Sequence, residues 1–174
     1  MRLRQQSRSI AFLLAITVTA YTGYGFACNR QRTIDVAAEA AKDIGGGTRD
    51  IIKAVGEAYD KKLITLEQKD RLARLLKNIA RGGQKGVDAI DALEKSGVTN
   101  LSGTDAQALS KIFTDEVVGP FLELLTELGK LSDSSSAAIR TALVSVRTAI
   151  VLLSSKIGRA DLIKEIQARE VWGV

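Results

Sequence analysis

The hydrophobic positions along most of the chain have the three-to-four-residue spacing of amphipathic helices. The clearest run follows Thr65, and at 100° per residue its apolar positions fall in one stripe. These positions are Leu72, Leu75, Leu76, Ile79, Gly83, Gly86, Val87, Ile90 and Leu93. Thr65 and Gln68 have the spacing of a capping box, in which each side chain bonds the other residue's backbone N–H. We therefore predict a helix that starts at this box and ends at about Lys95.

The segment before this helix is rich in alanine and is interrupted by three glycines. Residues 33–44 place their apolar side chains on one side, which predicts a first helix. Gly45–Gly47 follow, and each Gly costs about 0.8–1 kcal/mol relative to Ala inside a helix. We therefore expect a kink or break at the glycines, with Thr48 capping a restarted helix.

Three more helices are predicted after residue 104, over about 105–131, 136–157 and 159–170, with loops at 96–104 and 132–136. Pro120 lies inside the first of them. Because proline lacks a backbone N–H and clashes with the preceding turn, we expect a kink between Glu116 and Pro120.

The fold class that follows is all-α, a bundle of four to five helices over residues 33–174. The chain is 45% hydrophobic and 26% charged, with a single proline, which suits one helical domain with a modest core. The segment 136–157 is apolar enough to resemble a membrane span. Arg140 and Arg147 oppose that interpretation, because each would cost about 2.5–3.5 kcal/mol near a bilayer centre. A buried bundle helix is the prediction.

The first 27 residues have the organisation of a secretory signal. Arg2, Arg4 and Arg8 come first, and Ile10–Ala27 then runs for 18 residues without a charge. The only cysteine of the chain, Cys28, follows directly, after the small residue Ala27. Here the sequence resembles the signal peptides of bacterial lipoproteins, although Gly25 replaces the usual leucine. That resemblance implies cleavage before Cys28 and lipid attachment to its sulfur.

Two alternatives to lipidation at Cys28 stay open. Gly25 and Ala27 also form a small-x-small site for plain cleavage after Ala27. An uncleaved anchor is the other, because 18 residues just reach the ~17–25 needed to span a bilayer. All three interpretations divide the chain into a signal or anchor (1–27), a tether (28–32) and a helical domain (33–174). All three also place the domain outside the cytoplasm, anchored to a membrane or released from it.

The charge of the working domain is nearly balanced. Removing residues 1–27 takes away 3 of the 25 basic residues and none of the 20 acidic ones, which leaves 22 against 20 and a net charge of +2. We therefore expect no nucleic-acid partner.

Catalytic chemistry finds little support in the sequence. There is no histidine, and the one cysteine lies at the predicted tether, so the commonest general base, thiolate nucleophile and zinc ligands are missing from the domain. We predict no catalytic residues, no metal and no cofactor. The expected role is binding or structural, in the periplasm or at the cell surface; the alternative is a secreted or anchored enzyme using residues other than histidine.

One surface feature suggests a partner. Five basic residues follow one another along the side of the second helix opposite its apolar stripe. We call this set the basic stripe: Arg71, Arg74, Lys77, Arg81 and Lys85. It is either a solvated face balanced by acids of the third predicted helix, or a contact surface for anionic lipid headgroups or an acidic protein. Those acids are Asp105, Asp115, Glu116, Glu123 and Glu127.

Overall fold

The computed structural model describes residues 32–169, and 86% of these residues are helical. The elements in order are α1 (Thr33–Asp60), α2 (Leu66–Lys95), α3 (Gly103–Phe113), a π-helical turn (Thr114–Val118), α4 (Gly119–Gly129), α5 (Asp133–Lys156) and α6 (Ala160–Arg169). Because α3, the π-helical turn and α4 form one continuous run, the described part of the chain contains five helices and no strand. The all-α prediction is confirmed.

α1 packs extensively against both α5 and α2. Its buried side is built largely from alanine, with Ile34, Ile44 and Ile51 as the large fully buried side chains. Small side chains let two helices approach on either side of α1. The alanine-rich segment thus forms the helix that contacts both α5 and α2.

The predicted break at Gly45–Gly47 is wrong, because α1 continues through the glycines. Gly47 is buried against α5: a Cβ atom at this position would lie 2.7 Å from both Ser145 Oγ and Val146 Cγ2. Thr48 does not cap a new helix. Its hydroxyl is buried and donates to the carbonyl of Ile44 one turn earlier. Tertiary packing against α5 outweighs the local helix penalty of the glycines.

α2 has the predicted capping box, and its apolar stripe faces the core. The Gln68 backbone N–H donates to Thr65 Oγ1 at 3.2 Å, and the Thr65 N–H donates to Gln68 Oε1 at 2.8 Å. All positions of the stripe are buried except Val87 and Leu93, which are half-buried. The glycines on this side lie at helix crossings: Gly83 faces Ile44 and Ala41 of α1, and Gly82 faces the π-helical turn.

At the place where a kink is predicted, the chain forms the π-helical turn, and Pro120 itself sits in the first turn of α4. Proline cannot donate to the carbonyl four residues earlier, which is that of Glu116. The backbone of Gly82 lies against that same carbonyl. The carbonyl of Glu116 therefore lacks the regular hydrogen bond from residue 120, and α2 approaches closely at this same carbonyl.

α5 is a bundle helix with one buried side, as predicted. Ile139, Leu143, Val146, Ile150 and Leu153 point into the core. By length and composition α5 is also long and apolar enough to cross a membrane. Core helices pass the same test, and the packing of α5 on α1 accounts for one apolar side.

Candidate functional site

The predicted lipidation residue, Cys28, lies outside residues 32–169, as do the signal and most of the tether. The predicted surface contact, in contrast, lies wholly within these residues. All five residues of the basic stripe are exposed on the outer side of α2. The helical periodicity that buries the apolar stripe thus fixes where these cations lie.

The two ends of the basic stripe pair with acids of the following helical run. Arg71 lies 2.9 Å from Glu127 of α4, and Lys85 is paired with Glu116 of the π-helical turn. Glu127 also accepts from Lys130 at 2.7 Å, and its side chain is only 12% exposed. The interpretation as a charge-balanced face therefore holds at both ends.

The middle of the basic stripe differs from its ends. Within residues 32–169, the structure places no carboxylate within 4.0 Å of Arg74, Lys77 or Arg81. The spacing of three and four residues aligns these cations over about 10 Å of helix. Two acidic residues, Glu67 and Asp70, lie near Arg74 and Lys77 in the first turns of α2. The net positive charge is therefore concentrated near Lys77 and Arg81.

An apolar side chain lies beside these cations. Leu66, the first residue of α2, is 55% exposed, and it borders a shallow surface depression together with Ala73, Arg74 and Lys77. Cations beside an exposed leucine form an amphipathic surface, which suits the boundary between headgroups and acyl chains.

A second polar cluster joins the start of α6 to the π-helical turn. Arg159 donates to Ser110 Oγ at 2.7 Å and to Thr114 Oγ1 at 3.1 Å, and its other guanidinium nitrogen lies 2.6 Å from Asp161. The hydrogen bond from Arg159 lowers the pKa of Asp161 to about 2. The sequence does not indicate this cluster, because its members lie up to 51 positions apart and show no periodicity.

A polar cleft lined by charged residues lies between the start of α2 and the end of α4. Its described lining includes Arg71, Glu127 and Lys130. Because two cations hold the Glu127 carboxylate, the arrangement works as an ion-pair clamp between α2 and α4. No group of three or more potential metal ligands occurs in the part of the chain that the structure describes.

Comparison of the chain with protein-family models, with curated proteins and with solved structures gave no match.

Proposed function

We propose that this protein is a membrane-tethered, non-enzymatic helical protein of the cell envelope, with a binding or structural role. In this proposal Cys28 carries the lipid anchor, and the middle of the basic stripe contacts anionic lipid headgroups on the extracytoplasmic side. The support for the anchor is the place of the only cysteine, at the end of an uncharged run.

The proposed headgroup contact is supported by the difference between the ends and the middle of the basic stripe. Arg71 and Lys85 are engaged by acids of the same chain, whereas Arg74, Lys77 and Arg81 are exposed and lack such a partner among the described residues. Each cation near an anionic membrane contributes about 1 kcal/mol, and the effect fades beyond a Debye length. A tether adds to this by keeping the domain close to the surface.

The test is binding of residues 29–174 to vesicles, since every contact described above lies within that fragment. Vesicles of phosphatidylcholine with added phosphatidylglycerol should retain the fragment at low salt, and pure phosphatidylcholine vesicles should not. Changing Arg74, Lys77 and Arg81 to glutamate should abolish retention. Because the three side chains are exposed and unpaired in the described part of the fold, the melting temperature should hardly change.

A matched control carries the same change of net charge on another helix. Lys42, Arg49 and Lys53 are exposed on the outer side of α1, and their replacement by glutamate should leave most of the vesicle binding intact. An equal loss of vesicle binding in both variants would mean that binding depends on net charge and not on the position of the cations. If the wild-type fragment ignores anionic vesicles at low salt, the headgroup proposal is wrong. In that case an acidic protein remains as the partner to test.

A further inference from the structure

The turn between α1 and α2 exposes two leucines at one end of this helical hairpin. Leu63 lies in the turn and is 43% exposed, and Leu66, the first residue of α2, is 55% exposed. Among residues 32–169, no other two large hydrophobic side chains left in solvent lie within one helical turn of each other in the sequence. Three residues of chain extend over at most about 11 Å, so both leucines belong to the same small surface.

The backbone of the turn is tied to two helices at Leu63. The Leu63 N–H donates to the carbonyl of Ala58 at 2.9 Å, and the Lys62 N–H donates to that of Tyr59 at 2.8 Å. These two bonds close the end of α1 in a Schellman motif. The Leu63 carbonyl accepts from Ser135 Oγ of α5 at 2.8 Å. Leu63 is therefore held out on a turn in which both of its backbone groups are hydrogen-bonded.

Lys62 is the one residue other than glycine with a left-handed backbone in the described part of the chain, with φ 58°. A Schellman motif requires that conformation just after the helix cap, and the ends of α2 and α5 meet the requirement with Gly97 and Gly158. Glycine adopts it without strain, whereas lysine does not. The end of α1 thus keeps a long cationic side chain beside Leu63 in a strained backbone, and such strain is concentrated at functional positions.

Lysines surround the two leucines. Lys61 and Lys62 are exposed, and the ammonium nitrogen of Lys69 lies 4.3 Å from the centre of the Tyr59 ring. Between residues 32 and 169, no carboxylate lies within 4.0 Å of any of these three ammonium groups. We call the leucines and the lysines together the leucine apex: Leu63, Leu66, Lys61, Lys62 and Lys69.

The composition of the leucine apex identifies a lipid bilayer as its partner. Residues 60–69 hold three lysines and two acids, a net charge of +1, so the two leucines dominate the contact. Two leucines provide far less surface than the roughly 1,200 Å² that a stable protein interface buries. A bilayer accepts isolated apolar side chains at the boundary between headgroups and acyl chains, where lysines reach the phosphates and a tyrosine is favoured.

The leucine apex is also continuous with the middle of the basic stripe. Leu66 borders the same surface depression as Arg74 and Lys77. We propose that the leucine apex inserts into the headgroup boundary of the membrane that the basic stripe contacts, an inference that rests on the proposed function. Leu66 and Arg81 lie about 22 Å apart along α2, so simultaneous contact at both ends places α2 parallel to the membrane plane.

Fluorescence quenching in the full chain tests the insertion. Leu63→Trp and Val144→Trp should be made in a Trp172→Phe background, which removes the only natural tryptophan. Val144 is the matched control, because it is 57% exposed and lies on α5. Vesicles of phosphatidylcholine brominated near the headgroup end of the acyl chains should quench Leu63→Trp several-fold more strongly than Val144→Trp. These lipids are neutral, so the result does not depend on the basic stripe. Equal quenching at the two positions would overturn the inference.

Removal of the leucines tests their contribution to binding. Leu63→Ser combined with Leu66→Ser should weaken binding of residues 29–174 to the vesicles that contain phosphatidylglycerol about tenfold, because two partly buried leucine side chains are lost. Ile52→Ser combined with Val144→Ser removes two exposed apolar side chains elsewhere and should leave the binding nearly unchanged. All four side chains are exposed, so the melting temperature should hardly change in either variant.

The outcomes separate this inference from the headgroup contact of the basic stripe. An equal loss of vesicle binding in the two double variants would overturn the insertion of the leucine apex and leave the headgroup proposal standing. If the wild-type fragment ignores these vesicles, the headgroup proposal is wrong, and the quenching of the full chain decides the insertion by itself.

Discussion

At the scale of single residues, two glycines inside helices of this chain differ in their effect on stability. Gly82 lies against the backbone carbonyl of Glu116, so that a Cβ atom would overlap both that carbonyl and the side chain of Val117. Gly46 sits in the middle of α1, and a Cβ atom there would meet nothing within 4 Å. Packing therefore requires Gly82. Gly46 lowers helix stability, and no close contact in the described fold requires a glycine there.

Alanine substitution should therefore change stability in opposite directions at the two sites. Gly46→Ala should stabilise the domain by about 0.5–1 kcal/mol, because alanine loses less backbone entropy in a helix. Gly82→Ala should destabilise it by about 1–2 kcal/mol, because the new methyl group meets backbone that cannot rotate away. Urea denaturation of both variants measures the difference. Equal gains at both sites would contradict the close approach at Gly82.

The stability of the domain should depend on pH through the ionisation of Asp161. Its pKa is about 2 in the folded protein, below its ordinary value of 3.8, chiefly because Arg159 donates to it. A lowered pKa means that this contribution is complete above about pH 4 and is lost as the pH falls towards 2. The melting temperature of wild type should exceed that of Asp161→Asn at pH 6, and the difference should shrink between pH 4 and 2.

The variant Arg159→Gln provides the control for this pH dependence. It removes the donor that lowers the pKa of Asp161, so replacing Asp161 in this background should have less effect at pH 6 and should depend less on pH. A melting difference between wild type and Asp161→Asn that stays constant from pH 6 to 2 would exclude the proposed linkage.

At the scale of elements, α2 is the helix whose structure follows most directly from its sequence. Leu76 and Ile79 are fully buried, so that truncation of either to alanine should cost about 2–5 kcal/mol, from lost burial and the cavity left behind. Leu66→Ala is the control on the same helix, because its side chain is 55% exposed, and should cost less than about 0.5 kcal/mol. Chemical denaturation of the three variants measures these values, and small losses at both buried sites would mean that this side of α2 is not in a core.

The same comparison explains why other elements were predicted less well. The capping box and the apolar stripe of α2 are local patterns, and local patterns are visible in a sequence. The continuity of α1 through Gly47 depends on Ser145 and Val146, about a hundred positions away, which no periodicity in α1 can indicate. The basic stripe was predicted as a set, but the distinction between its paired ends and its unpaired middle required the positions of Glu116 and Glu127.

At the scale of the whole molecule, the proposed lipid attachment at Cys28 can be tested directly. Cys28→Ser should release the protein from membranes after processing, because the acceptor of the lipid is lost. Fractionation of membranes and soluble material, together with the mass of the mature N-terminus, measures the result. A Cys28→Ser chain that is processed and retained like wild type would exclude the lipoprotein interpretation. An uncleaved N-terminus in the membrane-bound wild-type chain would instead indicate an uncleaved anchor.

The packing of α1 against both α2 and α5 also has a consequence for the order of folding. Its neighbour α2 follows after a short turn, whereas α5 begins only at Asp133, after residues 61–132 have intervened. Closing the longer loop costs more chain entropy, so pairing of α1 with α2 is the local, early step, and docking of α5 on α1 comes late. During synthesis from the N-terminus, the side of α1 that contains Gly47 therefore stays uncovered, and accessible to chaperones, until α5 has been made.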